Sequence, residues 1–276
     1  MKIGIIGLGL IGGSLAMSIR RHTEHTVFGF DIDPQVMLRA RAAEAIHDDL
    51  TDEMLSGCDI VLVALYPELC ARYIREHAGD FGPRTLVIDC AGVKRHVYNQ
   101  VAPIAAEHEW TYIGGHPMAG REFSGFIHAR ADLFDNASMI LCPPPEASIE
   151  AREKAKAFFL ETGFKLVRFC TPEDHDQMIA YTSQLAHVVS GAYVKNPLAA
   201  AHRGFSAGSF LDMTRVARLN ENMWTELFLE NDDLLLPALD DLIGRLNEYR
   251  GALASKEADR LKPVLREGRL CKEALD

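Results

Sequence analysis

Gly7, Gly9 and Gly12 stand in GxGxxG spacing between an apolar run at residues 2–6 and an amphipathic stretch, a pattern suited to holding a pyrophosphate. The first glycine permits a tight turn, the second lets backbone approach the anion, and the third allows close packing of helix on strand. The helix start then turns its free N–H groups toward the phosphates. Leu8, Leu10 and Ile11, interleaved with these glycines, belong to the same cradle. Asp31 ends a second apolar run at 26–30, where a carboxylate accepts hydrogen bonds from an adenosine ribose. Its charge and that of Asp33 oppose a 2′-phosphate, and no arginine follows before Arg39, so the cofactor expected is NAD rather than NADP. The competing reading of Asp31-Ile32-Asp33-Pro34 is a turn and helix cap. Two side chains further along could act on a substrate. By type, His116 can accept a proton or serve as a hydrogen-bonded turn residue, and Arg215 can hold a carboxylate in a bidentate fork or join a surface ion pair.

Residues so far apart need a frame to bring them together. Short β-branched runs at about 2–6, 26–30, 59–64, 85–89, 110–113, 138–142 and 164–169 alternate with amphipathic stretches, which predicts βαβ units around a largely parallel sheet. Ala64 and Leu65, at the end of the third run, are also assigned to the cofactor. His116 follows the run ending at Ile113, at the carboxyl edge where such sheets bind ligands. After Thr171-Pro172-Glu173-Asp174 strand signals give way to helical patterns, the longest at 174–193 and 221–249. The fold expected is α/β: a Rossmann-like, doubly wound parallel sheet over residues 1–170 holds the nucleotide. An all-helical domain over 171–276 then binds substrate and carries a dimer contact.

The bulk properties restrict the partners. A net charge of -10 and a pI near 5.6 argue against a nucleic-acid partner, which usually leaves a basic patch. No apolar run approaches a membrane span, and the strand beginning at Lys2 leaves no room for a signal peptide. The six cysteines include no CxxC pair. A cytoplasmic protein is expected. No HxxxH or HExxH pair occurs among the histidines, so no metal is expected. The apolar stretches at 224–229 and 234–236 exceed what one helical layer buries, which predicts a homodimer.

Residues 114–120, Gly-Gly-His-Pro-Met-Ala-Gly, resemble the His-Pro-Met-Ala-Gly signature of the prephenate and arogenate dehydrogenases of tyrosine biosynthesis. The resemblance extends to the Gly-Leu-Gly-Leu-Ile-Gly-Gly-Ser opening, Asp31-Ile32-Asp33-Pro34, Gly92-Val93-Lys94, Ser183-Gln184-Leu185-Ala186-His187 and Phe210-Leu211-Asp212-Met213-Thr214-Arg215. It implies NAD-dependent oxidative decarboxylation of prephenate to 4-hydroxyphenylpyruvate, or of arogenate to tyrosine. It further implies His116 as the group that takes the substrate hydroxyl proton and Arg215 as a carboxylate clamp oriented by Asp212. His187, Gln184 and Glu122 would line the substrate pocket, and Gly92 would lie beside the nicotinamide.

Two departures stand out. Many members carry a serine where this chain has Gly92, and a histidine where it has Gln184, which can hydrogen-bond but not titrate. Lys94 is read as a helix cap or a solvent contact, and Asp212 with Arg215 has the alternative of a surface ion pair. Two competing functions share the fold. A β-hydroxyacid dehydrogenase or pyrroline-carboxylate reductase would need a lysine in the helical half, where only Lys195 lies between 166 and 255. A non-catalytic NAD-binding regulatory protein would account for Gly92 but not for His116 and Arg215.

Overall fold

A computed structural model of the chain describes residues 1–121 and 123–275; Glu122, a candidate pocket residue, lies outside the described residues. One sheet contains β1 (Lys2–Ile6), β2 (Thr26–Phe30), β3 (Asp48–Asp49), β4 (Ile60–Val63), β5 (Leu86–Asp89), β6 (Thr111–Pro117), β7 (Ser138–Cys142) and β8 (Leu166–Phe169). Their spatial order is β3-β2-β1-β4-β5-β6-β7-β8. Neighbours from β3 through β6 run parallel, β7 is antiparallel to β6, and β8 is parallel to β7. The chain winds outward from β1 to β3 and then returns to lay β4 on the other side of β1. That reversal opens a crevice at the carboxyl ends of β1 and β4, the place where open α/β sheets bind ligands.

The central strands are apolar on both faces, and their period of two divides them between two cores. Ile3, Ile5, Ile60, Leu62, Leu86 and Ile88 point to one side, against Leu15 and Ile19 of the helix Leu10–His22 and Phe158 and Phe159 of the helix Ile149–Glu161. Ile6, Val61, Val63 and Val87 point to the other, against Cys70 and Ile74 of the helix Pro67–Glu76 and Val97 and Val101 of the helix Arg95–Ala105.

Helices take over after β8. Thr171 caps the helix Pro172–Ile179 by accepting the N–H of Asp174 (3.1 Å), with Pro172 in the first turn, where its missing N–H costs nothing. A wider turn, Ala180–Gln184, leads into Leu185–Val194, and Gly208–Thr214, Glu221–Leu229, Asp232–Ser255 and Ala258–Glu273 complete the helical half. Leu236, Ile243, Leu246 and Leu253 lie exposed along Asp232–Ser255 at heptad-like spacing. No helix among the described residues is long and apolar enough to cross a membrane.

The structure adds to or departs from the strand and helix runs expected from the sequence in three places. Asp48 and Asp49, outside every expected strand run, pair with Phe28 and Gly29 as an edge strand. Two residues show no periodicity, and aspartate has low strand propensity. β6 does not end at Ile113: Gly114–Pro117 pairs antiparallel with Cys142–Met139, so His116 stands within a strand. Finally, the helical pattern at 221–249 is interrupted. The chain leaves helical geometry at Asn231 (φ -137°, ψ 22°) and restarts at Asp232.

Candidate active site

Each sequence motif arrives at the same sheet edge. The glycine turn follows β1, Asp31 follows β2, Ala64 and Leu65 follow β4, Gly92 lies just beyond β5, and His116 is near the end of β6. Gly7 has φ +81°, a conformation that side chains rarely adopt, and its N–H donates to the Phe30 carbonyl (2.8 Å). A Cβ on Gly12 would lie 1.8 Å from the Gly7 carbonyl oxygen, whereas nothing lies within 4 Å of the Cβ position at Gly9. The helix Leu10–His22 has no side-chain cap and no acidic residue in its first turn, so its leading N–H groups are available to an anion.

The Leu8 side chain is buried in the core beneath this turn, leaving its backbone to work. The Leu8 N–H donates to Asp31 Oδ2 (2.8 Å) and the Asp33 N–H to Asp31 Oδ1 (3.0 Å). Asp31 is thereby fixed beside the glycines, with lone pairs left for further donors. The helix cap is Asp33, which accepts the Gln35 N–H (2.8 Å). Open space over Gly9, an uncapped helix start and an oriented carboxylate fit the pyrophosphate and ribose of a dinucleotide.

His116 has one side occupied by protein. Its Nδ1 lies 2.9 Å from His175 Nε2, and His175 Nδ1 lies 2.7 Å from Asp176 Oδ1. Asp176 also accepts the Lys94 N–H (2.7 Å), the Arg95 N–H (2.9 Å) and Arg95 Nε (3.2 Å). Burial pushes the Asp176 carboxyl up, but the His175 hydrogen bond and charge and the backbone donors outweigh it and hold the group below the usual carboxylate range. Burial, the adjoining His175 and the Lys94 charge push His116 well below the ordinary histidine range. Burial likewise lowers His175, against the raising effect of Asp176. Burial thus disfavours the charged form of both rings.

The other ring nitrogen of His116 faces Gly92. A Cβ on Gly92 would lie 4.0 Å from His116 Nε2 and 3.2 Å from Leu227 Cδ2. Without a side chain at 92, Leu227 closes one wall and Nε2 borders bare backbone. Beneath them, Lys94 is fully buried rather than at the surface. Its ammonium is bonded to the Asp89 carboxylate and donates to the Gly115 carbonyl (2.5 Å). Tyr112 donates its hydroxyl to the same aspartate (2.7 Å). Such a buried pair adds little net stability, but breaking it strands a charge; here it ties β5 to the strand that carries His116.

The helical half supplies the opposite wall. His187 Nδ1 donates to the Val216 carbonyl (2.8 Å), leaving Nε2 with its lone pair, and the ring packs on Trp224 with centroids 3.8 Å apart. Burial, then the charge of the nearby Arg215, lowers its pKa against the Val216 hydrogen bond. Arg215 itself is exposed at the end of the helix Gly208–Thr214, as is Asp212 within it. Trp224 and Leu227 are three residues apart on the helix Glu221–Leu229 and so share one face. His187 on Trp224 and Gly92 beside Leu227 are thereby joined through one helix, with Arg215 near His187.

Gln184 is not presented to that cleft. It is buried, with its amide donating to the Leu227 carbonyl (2.7 Å) and accepting from Asn231 (2.8 Å), so both ends already serve to join helices. His175, Asp176 and Asn231 were missed in the sequence. One signal was available: in Pro172–Gln184 the buried positions are 172, 175, 176, 179, 180 and 184, so a histidine and an aspartate share a stripe with Pro172, Ile179 and Ala180.

This arrangement agrees with what the chain is similar to. Residues 15–168 match the family model for the nucleotide-binding domain of prephenate dehydrogenase, and residues 171–267 match that for its dimerization domain. A cyclohexadienyl dehydrogenase from Zymomonas mobilis is 31% identical, over 99% of this chain and 95% of the relative. The crystal structure of Synechocystis arogenate dehydrogenase superposes with a TM-score of 0.83 at 25% identity, covering 100% of both chains. A. aeolicus prephenate dehydrogenase, in complex with hydroxyphenyl propionate and NAD+, gives a TM-score of 0.83 at 25% identity, covering 100% of this chain and 98% of that one. With a glycine-rich nucleotide turn, a histidine at the same edge of the sheet and both family domains matched in sequence order, the chain belongs to the prephenate dehydrogenase family.

Proposed function

We propose that the protein oxidatively decarboxylates prephenate to 4-hydroxyphenylpyruvate in tyrosine biosynthesis, with NAD as cofactor. Residues 1–170 hold the cofactor and residues 171–276 hold the substrate. The observation that carries this reading is His116, whose Nδ1 meets His175 while its Nε2 faces Gly92, at the same sheet edge as the nucleotide turn. Bound NAD supplies a hydride acceptor. Gly7 to Gly12 and the helix start seat the pyrophosphate, and Asp31 receives the ribose hydroxyls and repels a 2′-phosphate.

His116 Nε2 takes the proton of the substrate hydroxyl as the ring carbon loses hydride. Loss of the ring carboxylate as CO2 returns an electron pair to the new carbonyl oxygen, and His116 can give the proton back to form the phenol. Arg215 clamps a carboxylate of the substrate, while His187 presents a hydrogen-bonding nitrogen beside it. The substrate is dianionic, so a pocket in this acidic protein needs such a local cation. The exposed stripe on Asp232–Ser255 and the matched dimerization domain support a homodimer through the helical half.

Arogenate, which carries an amino group where prephenate carries a keto group, is the alternative substrate, favoured by similarity to the cyclohexadienyl and arogenate enzymes. Initial rates of NADH formation with each substrate, and with NADP replacing NAD, test the reading. The expected result is turnover of prephenate with NAD and a kcat/KM at least about tenfold lower with NADP, a preference worth about 1.4 kcal/mol. Binding of NAD with no turnover of either substrate would favour a regulatory protein.

A further inference from the structure

We infer that His175 and Asp176 are positioning residues that fix His116 with its proton on Nδ1 and its lone pair on Nε2, and that they share the positive charge this ring acquires during turnover. The inference rests on His116 being the base of the proposed reaction, but the hydrogen-bond polarity behind it does not. An ionised carboxylate only accepts. Asp176 Oδ1, 2.7 Å from His175 Nδ1, therefore requires the proton on that nitrogen. Burial inside the protein favours neutral His175 over its imidazolium, so its Nε2 keeps a lone pair, and at 2.9 Å that lone pair takes the proton of His116 on Nδ1. The lone pair of His116 is thereby directed to Nε2, the atom facing Gly92.

The carboxylate is held more firmly than a cap would need. His175, the Lys94 and Arg95 backbone N–H groups and the Arg95 guanidinium converge on it, and the side chain is fully buried. Asn231 donates to the Asp176 backbone carbonyl (3.0 Å) and Arg95 continues to Asp233. A neutral side chain would satisfy a structural role at lower desolvation cost, whereas a carboxylate can balance an imidazolium. When Nε2 of His116 takes the substrate proton, its Nδ1 proton can pass to His175 Nε2. The charge then rests on the ring bonded to Asp176, and no proton is lost to solvent. The same carboxylate spans the first helix of the helical half and the segment after β5, so His116 is correctly set only when the two halves are docked.

The test combines two variants with a spectroscopic readout on the unmodified enzyme. Two-bond proton–nitrogen correlation spectra of histidine-labelled protein are expected to show His116 and His175 neutral, each with the proton on Nδ1. A His116 proton on Nε2 would overturn the inference, whatever the activity. Asp176→Asn and His175→Phe are each expected to lower kcat about 10- to 100-fold while KM and NAD affinity change less than about threefold. Asp176→Asn should also move the acid limb of kcat/KM to lower pH, because the imidazolium loses its counter-charge. The other charged groups facing the pair, Lys94 and Asp89 below it and Arg95 with Asp233 beside it, remain in place. His175→Gln, whose amide oxygen can accept from His116 Nδ1, should recover part of the rate lost in His175→Phe. Wild-type kcat and an unmoved acid limb in folded Asp176→Asn would refute the relay. Loss of all prephenate turnover in the unmodified enzyme would refute the proposed function and leave the tautomer result standing.

Discussion

His116→Asn is expected to lower kcat with prephenate by about two to four orders of magnitude and to leave the Kd for NAD within about twofold. Asparagine is close to histidine in size, so the gap beside Gly92 stays nearly filled, and its amide can still donate toward His175. It has no nitrogen lone pair that takes a proton at neutral pH, so the substrate hydroxyl loses its acceptor. The glycine turn and Asp31, proposed to hold the pyrophosphate and ribose, follow β1 and β2, with β4 and β5 between β1 and the strand that carries His116, which is why affinity should hold. Initial rates together with a fluorescence titration of NAD separate these quantities. A wild-type rate would remove His116 from the chemistry.

Gly12→Ala is expected to weaken NAD binding at least about 100-fold and to destabilise the protein by about 1–3 kcal/mol, as overpacking does. The added methyl would stand 1.8 Å from the Gly7 carbonyl oxygen and 3.0 Å from its carbon, with Ala64 Cβ at 3.1 Å on the other side. Gly7 cannot retreat, since its N–H is bonded to Phe30 and a shift would carry it toward the Ala64 carbonyl. Gly9→Ala is the informative control. Its methyl meets no protein atom within 4 Å, so thermal stability without cofactor should be unchanged, while the methyl intrudes on the space for the pyrophosphate. Thermal unfolding and NAD titration of both variants distinguish a cradle fitted to an anion from a turn that is merely glycine-rich. Wild-type NAD affinity in Gly12→Ala would contradict the cradle.

What could be read in the sequence was whatever repeats or carries its own spacing. The short apolar, β-branched runs at 2–6 and 59–64 announce buried strands by length and composition, and Gly7, Gly9 and Gly12 announce a turn by number and separation. β3 lacked both, since Asp48 and Asp49 form a strand only because Phe28 and Gly29 offer a free edge. The break at Asn231 was hidden for another reason. The local pattern favours helix through that point, but the Asn231 side chain is engaged by Arg95, Gln184 and the Asp176 backbone, partners distant in the chain. Gln184 is misjudged by residue type alone, because its position beside His187 suggested a pocket while its amide is consumed within the helices. His175 and Asp176 become visible as a unit only once β6 delivers His116 to them, a tertiary contact that no local propensity encodes.

The most direct test of the central claim is stoichiometry: purified protein with NAD and a limiting amount of prephenate, followed by simultaneous measurement of NADH and released CO2. One NADH and one CO2 are expected for each prephenate consumed, with 4-hydroxyphenylpyruvate as the product and CO2 release in His116→Asn slowed in step with its NADH formation. NADH formed without CO2, or NAD bound with neither product released, would contradict it.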